Sequence, residues 1–157
     1  MMDYLRFVSV VAVLIAFVLC VPVQAQTPEF EALRARAEQG DAEAQFHLGF
    51  MYDNGNGVLQ EYAEAVRWYR LAAEQGHAQA QNNLGVRYGT GQGIQQDDVL
   101  AHMWFNLAAS RSTGADRENA VRARDLVTGR MTPDQIADAH RLAHEWDVAH
   151  PREPYIH

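Results

Sequence analysis

The chain has 157 residues and a formal net charge of −7, and all 13 of its basic residues apart from histidine are arginine. An acidic chain has no general attraction for phosphate backbones, so nucleic-acid binding is not expected. The lack of lysine excludes phosphate-loop and Schiff-base chemistry, which both need that side chain.

Residues 1–25 have the pattern of a secretory signal peptide. Arg6 precedes an uncharged apolar run from Phe7 to Val21, and a Val-Gln-Ala cleavage signal ends at Ala25. The run is shorter than the roughly 20 residues of a membrane-spanning helix. We therefore expect cleavage, no membrane insertion afterwards, and export to a bacterial periplasm or the medium. A retained N-terminal membrane anchor is the alternative. Cys20 lies in this segment, so the remaining chain can form no disulfide.

Residues 28–39 predict a single helix that corresponds to half of a repeat. Thr27 precedes Pro28, which is the usual order of an N-cap and the first helical residue. The ending EALRARAEQG before Asp41 is similar to YRLAAEQG, which ends at Gly76. This helix therefore corresponds to the second helix of a repeat that lacks its first.

Residues 40–75 and 76–111 carry the same pattern twice. Aligned without a gap, the copies match at 15 of 36 positions, where unrelated segments would match at roughly two or three. Two apolar helical stripes separated by a glycine turn predict a helix–turn–helix repeat. The expected helices are roughly Asp41–Tyr52, Gln60–Gln75, His77–Tyr88 and Asp97–Ser110.

Residues 112–149 predict a divergent terminal helix pair. The first helix covers Ala115–Thr128, and Thr132 opens the second with a capping box. The charged outer face of this helix pair is typical of the cap that ends a solenoid. Residues 150–157 contain two prolines and are expected to form a flexible tail. The chain is thus predicted to be all-α, an α/α helix–turn–helix repeat solenoid of about seven helices within residues 26–149.

The two copies resemble the Sel1-like repeat (SLR) family, a branch of the tetratricopeptide-repeat solenoids. The resemblance rests on A-x-x-x-LG-x-x-Y-x-x-G-x-G-[VI] and A-x-x-W-[YF]-x-x-AA, which each occur twice. MTPDQIADAHRLAHEW is also similar to the closing helix of bacterial members. The resemblance implies a non-enzymatic scaffold that binds a peptide or a partner helix in a concave groove.

Recurring residues indicate how the helices pack. Gly49 and Gly85 lie inside predicted helices, where glycine costs about 1 kcal/mol relative to alanine. Their recurrence predicts that a neighbouring helix approaches too closely there for a side chain. Trp68 and Trp104 are predicted to be core residues rather than ligand-binding aromatics.

No residue pattern indicates catalysis, a metal or a cofactor. After residue 25 the only serines are Ser110 and Ser112, and neither lies in a nucleophile motif. His140 and His144 share one helix face, which we interpret as solvated. The DNGNG sequence that begins at Asp53 is interpreted as a turn. A cell-wall hydrolase, or an accessory protein associated with peptidoglycan, is the alternative function. Only the expected export favours it.

The first helix of each copy supplies the candidate partner-binding site. Phe46 and Phe50 point away from the face that carries Leu48, and His47 is matched by Asn83 in the second copy. In tetratricopeptide-type solenoids such positions face the concave groove, so the resemblance implies a groove with an apolar end and an amide end. The alternative is that Phe46 packs on the half repeat. The candidate residues are Phe46, His47, Phe50, Asn82, Asn83 and Val86.

Overall fold

The computed structural model describes residues 27–151, and every regular element in that range is an α-helix. The predicted all-α fold of about seven helices is confirmed. The predicted signal peptide, residues 1–25, and residues 152–157 of the predicted tail lie outside the described residues. The helices are α1 (Pro28–Glu38), α2 (Ala42–Asn54), α3 (Tyr62–Glu74), α4 (Ala78–Thr90), α5 (Asp98–Arg111), α6 (Gly114–Thr128) and α7 (Pro133–Ala149).

The helices pack mainly on their neighbours in the chain, from α1 through α6. The last helix departs from this order, because α7 packs on α5 rather than chiefly on α6. The last two helices, α6 and α7, therefore each pack mainly on α5. None of the described helices has the length and apolarity needed to cross a bilayer.

Side-chain caps start five of the helices. Thr27, Asp41 and Asp97 accept backbone N–H bonds in the first turns of α1, α2 and α5, at 3.2, 3.1 and 3.0 Å. The predicted capping box at Thr132 is present at the start of α7. The cap of α4 is the ring of His77, whose Nδ1 accepts from the Ala80 N–H at 3.2 Å. Each cap satisfies a donor that the helix itself cannot pair.

Glycine sets the ends of the first helix of both repeats. Gly55 and Gly91 adopt left-handed backbone with φ of 69° and 71°, which residues other than glycine rarely adopt. The helices therefore extend to Asn54 and Thr90, two residues beyond the predicted ends. Of the DNGNG sequence, Asp53 and Asn54 are therefore the last residues of α2, and only Gly55–Gly57 form the predicted turn.

An aromatic ring lies against each of the two recurring helix glycines. A Cβ on Gly49 would lie 2.7 Å from Cδ1 of Tyr69, and one on Gly85 would lie 2.9 Å from Cδ1 of Phe105. Both rings come from the second helix of the same repeat and are fully buried or nearly so. The prediction of a close helix approach is confirmed, and the approaching group is a side-chain ring.

A buried glutamine links each repeat to the helix before it. Gln45 Nε2 donates to the Ala37 carbonyl at 3.0 Å, and Gln81 Nε2 donates to the Ala73 carbonyl at 3.1 Å. Both acceptors lie near the end of a helix, where carbonyls lack a helical partner. Equivalent glutamine hydrogen bonds therefore join α1 to α2 and α3 to α4.

The two tryptophans are buried, as predicted, but they pack on different neighbours. Trp68, 3% exposed, lies in a cluster with Phe30 of α1 and Leu48 of α2. Trp104, 7% exposed, meets Trp146 of α7 edge to face, with 5.9 Å between ring centroids. The second tryptophan therefore anchors the helix that departs from the repeat order.

His102 is a buried histidine among helices α5, α6 and α7. It is 2% exposed, and its Nδ1 has no hydrogen-bond partner within the described part of the chain. The ring of His140 on α7 lies 5.2 Å away, and Arg124 and Asp125 of α6 also face it. Burial lowers the pKa of His102 to about 4, and the positive charges of His140 and Arg124 add to that effect.

Replacing Gly85 with alanine should destabilise the fold. Overpacking typically costs about 1–3 kcal/mol, whereas the gain in helix propensity is at most about 1 kcal/mol. Gly89→Ala on the same helix is the matched control, since its Cβ would make ordinary contacts at 3.7–3.8 Å. Thermal unfolding should show a lower Tm for Gly85→Ala and no loss for Gly89→Ala. Equal melting of the two variants would contradict the account of the ring contact.

The buried His102 should make the fold acid-sensitive. The unfolded chain takes up a proton at His102 near pH 6.5, but the folded chain does so only near pH 4. The free energy of unfolding therefore falls as the pH drops through that window. His102→Val, which installs the counterpart of Val66, should reduce the fall in Tm between pH 7 and pH 4.5. The exposed His144→Ala should leave it unchanged. If the Tm of the parent and the Tm of His102→Val fall equally with pH, His102 is not the cause of the acid sensitivity.

Candidate partner-binding cleft

A cleft of about 220 Å³ lies where α2, α4 and the start of α6 face one another. It contains both predicted phenylalanines and both predicted asparagines. Three of the lining side chains are apolar and six are polar, and one of the six is charged. The lining residues are Phe46, Phe50, Ala78, Gln79, Asn82, Asn83, Ser112, Asp116 and Asn119.

The apolar end of the cleft is a pair of phenylalanines on α2. Phe46 stacks on the ring of His77 with 4.7 Å between centroids, and it also contacts Tyr69 and Phe50. It does not belong to the cluster around Phe30, so the alternative that it packs on the half repeat is wrong. Phe50 is 43% exposed. One ring is therefore held in place by its neighbours, and the other faces solvent.

The amide end of the cleft lies on α4 and α6. Asn82 is half-buried, and its Oδ1 has no hydrogen-bond partner within residues 27–151. Gln79 Nε2 donates to Asp116 Oδ2 at 3.4 Å, which connects the two helices across the cleft. A side-chain amide offers both donors and acceptors. These side chains can therefore pair with both polar groups of an extended backbone.

Two of the six predicted residues do not line the cleft. His47 is exposed, and its Nε2 lies 3.0 Å from Glu43 Oε1. The same carboxylate reaches His77 Nε2 at 3.1 Å. Val86 is half-buried and packs on the cluster that contains Phe105. His47 thus pairs with a neighbouring carboxylate and Val86 packs on a neighbouring cluster, so neither residue contributes to the cleft.

Sequence reasoning missed the residues that α6 and the preceding turn contribute, because α6 was interpreted only as a cap. One signal was available. Asn119 stands 36 residues after Asn83, so the repeat period places it at the same position in a third first helix. Asp116, Gln79 and Ser112 had no such signal, since their neighbours depend on how α6 packs.

A polar network joins the helices that carry the cleft. The Tyr69 hydroxyl donates to Asp53 Oδ2 at 3.2 Å, and Arg87 Nη1 lies 3.3 Å from Asp53 Oδ1. Burial raises the pKa of Tyr69, and the Asp53 carboxylate raises it further. Arg87 and Asp53 are both largely buried. The network therefore joins α2, α3 and α4, and it gives Asp53 a structural role that the sequence did not suggest.

A second, more open groove runs between α3 and the loop before α5. Its volume is about 390 Å³, and it includes Val66, Leu71 and Ile94. Its two arginines are already engaged: Arg67 lies over the Trp68 ring, and Arg70 donates to the Tyr88 hydroxyl at 3.2 Å. This groove is larger than the cleft but brings fewer free polar groups together.

The described residues show no arrangement typical of a catalytic or metal centre. Within residues 27–151, no three histidine, cysteine, aspartate or glutamate side chains converge closely enough to hold a metal ion. His140 and His144 are both exposed on α7. The chemistry that the cleft does offer is hydrogen bonding and apolar contact.

Comparison with protein families identifies the repeat. The model of the Sel1 repeat matches residues 42–77 and 78–112. These two segments coincide, within two residues, with the repeats that the sequence predicted. No curated protein is significantly similar to the chain.

Two solved structures share the fold. A protective antigen of uropathogenic Escherichia coli strains, which displays an SLR fold, is 32% identical with a TM-score of 0.69 over 75% of this chain. A Sel1 repeat protein from Oxalobacter formigenes is 30% identical with a TM-score of 0.53 over 79% of this chain. The chain spans only 25% of the first protein and 48% of the second.

Proposed function

Since this chain is a Sel1-repeat protein, we propose that it is a non-enzymatic binding module whose cleft holds an extended peptide segment of a partner protein. Sel1 repeats generally mediate protein–protein interactions. The proposal assigns that role in this chain to the surface formed by α2, α4 and the start of α6.

One observation carries the proposal: exposed aromatic surface and an asparagine whose amide oxygen is unpaired line the same cleft. Phe50 offers apolar area that solvent does not favour. Asn82 has an unpaired Oδ1 beside it, and an unpaired buried acceptor costs free energy that a donor from a ligand would recover. A peptide backbone supplies such donors at every residue other than proline. A segment with an apolar side chain would thus satisfy both ends of the cleft.

The proposal also places the module outside the cytoplasm. The signal-peptide pattern of residues 1–25 supports export to the periplasm or the medium. An exported module of this kind would act as a scaffold among envelope proteins, and association with the cell wall would follow from its partner rather than from hydrolysis.

Truncating a side chain at either end of the cleft should weaken partner binding without unfolding the protein. Phe50→Ala removes exposed apolar area, and Asn82→Ala removes a hydrogen-bonding side chain, so both should reduce partner capture from periplasmic extract. Both variants should melt within about two degrees of the parent, since Phe50 is exposed and the Asn82 Oδ1 makes no hydrogen bond within residues 27–151 that the substitution would break. Affinity capture followed by mass spectrometry, with thermal melting, measures both effects.

Matched controls lie elsewhere on the surface. Leu126 is 75% exposed on α6 and does not line the cleft, and Asn56 is exposed in the turn after α2. Leu126→Ala and Asn56→Ala should retain full capture. Equal capture by all four variants would refute the proposed site. A large stability loss for Phe50→Ala, with unchanged binding per folded molecule, would instead make Phe50 a packing residue.

A further inference from the structure

The charged side chains at the cleft are carboxylates. Among the lining residues that the structure describes, Asp116 is the only charged one. The phenylalanine end is flanked by a second carboxylate, because Glu43 contacts His77, the ring on which Phe46 stacks. A carboxylate therefore lies near each end of the cleft.

Arg111 lies beside the cleft in the sequence but is committed to another part of the fold. Arg111 directly precedes the lining residue Ser112, but its Nη2 lies 2.5 Å from Asp147 Oδ1 and 3.2 Å from the His150 carbonyl. Its guanidinium also lies over the Trp146 ring, 4.8 Å from the centroid. It is held towards α7 and does not neutralise Asp116.

The carboxylate of Asp116 is accessible to a ligand. Asp116 is exposed, and its hydrogen bond to Gln79 at 3.4 Å is longer than the usual 2.7–3.2 Å. That bond engages Oδ2, and within the described residues no hydrogen bond reaches Oδ1. An arginine side chain could therefore bind this carboxylate without breaking an internal ion pair.

The pleat of an extended chain sets the spacing of the two side chains that the cleft can bind. The apolar residues on α2 and Asp116 on α6 line one cleft of about 220 Å³. In an extended chain, successive side chains point to opposite faces, so only alternate side chains can enter the same cleft. In a cleft of this size, the apolar side chain and the cation of a ligand are thus two positions apart.

We infer that the cleft selects an extended segment of a partner protein in which an apolar residue and an arginine or lysine stand two positions apart. The apolar side chain lies against Phe46 and Phe50, and the cation pairs with Asp116. The asparagine amides bind the backbone between them. This inference rests on the proposed function and adds the chemical class of the segment.

Matched synthetic peptides test the charge requirement. The probes are acetyl-Gly-Gly-Phe-Gly-Arg-Gly-Gly-amide and the same peptide with Glu in place of Arg. They are titrated at pH 7.5 and low salt while the backbone amide signals of the protein are followed by NMR. The Arg peptide should bind at least about threefold more tightly, as expected for an exposed ion pair gained and a like-charge contact avoided. The preference should shrink in 0.5 M salt.

Variants connect this preference to one carboxylate. Asp116→Asn should bring the affinity ratio of the two peptides close to one while keeping the Tm of the parent. Asp134→Asn is the matched control, because Asp134 is also an aspartate in the first turn of a helix but lies on α7, outside the cleft. It should leave the ratio unchanged.

The outcomes separate this inference from the proposed function. If both peptides bind the parent equally well and shift cleft signals, the charge requirement is overturned while a peptide-binding cleft stands. If neither peptide shifts any cleft signal at millimolar concentration, both ideas fail. A ratio that survives in Asp116→Asn would also overturn the assignment of the cation to this residue.

Two other occupants are tested with the same probes. The segment after α7 contains both an arginine, Arg152, and an aromatic residue, Tyr155. A variant that ends at Pro151 should bind the Arg peptide with the affinity of the parent. A tenfold gain on truncation would assign the cleft to the chain's own segment, and an affinity that falls as protein concentration rises would assign it to a second copy. Either result would overturn the inference.

Discussion

The contact between a helix glycine and an aromatic ring of the next helix fixes the geometry of both repeats. Tyr69 lies over Gly49 and Phe105 lies over Gly85, at distances that leave no room for a Cβ. The ring and the glycine determine how closely the two helices approach and in what register. The buried glutamine bonds then join each repeat to the helix before it. Together these contacts position α2 and α4 side by side.

The cleft follows from this packing. The small residues and leucines of α2 and α4 face the rings of α3 and α5. Side chains on the other side of α2 and α4 are therefore not fully covered by any helix of residues 27–151. Phe50 and Asn82 are such residues. The start of α6 closes the third side and brings Asp116 to the rim. The polar network around Asp53 stiffens the arrangement from the interior. A binding surface thus arises from residues that the core does not use.

Most of the fold could be predicted from the sequence, since the period and the glycine turns specify helix–turn–helix units. The candidate site could be predicted in part: Phe46, Phe50, Asn82 and Asn83 line one cleft, whereas His47 and Val86 do not. The failure has a physical cause. Helical angles alone do not say which flank of a helix its neighbour covers. The packing of α7 on α5 could not be predicted from the sequence either, because it depends on the Trp104–Trp146 contact between distant segments.

Site-specific photocrosslinking in intact cells shows whether a partner binds on the α2–α4–α6 side of the molecule. A photoreactive residue is introduced at position 79, in the cleft, or at position 71, in the groove beside α3. We expect a partner to be crosslinked from position 79 and not from position 71. Crosslinking from position 71 alone would exclude the cleft and would assign partner binding to the groove beside α3.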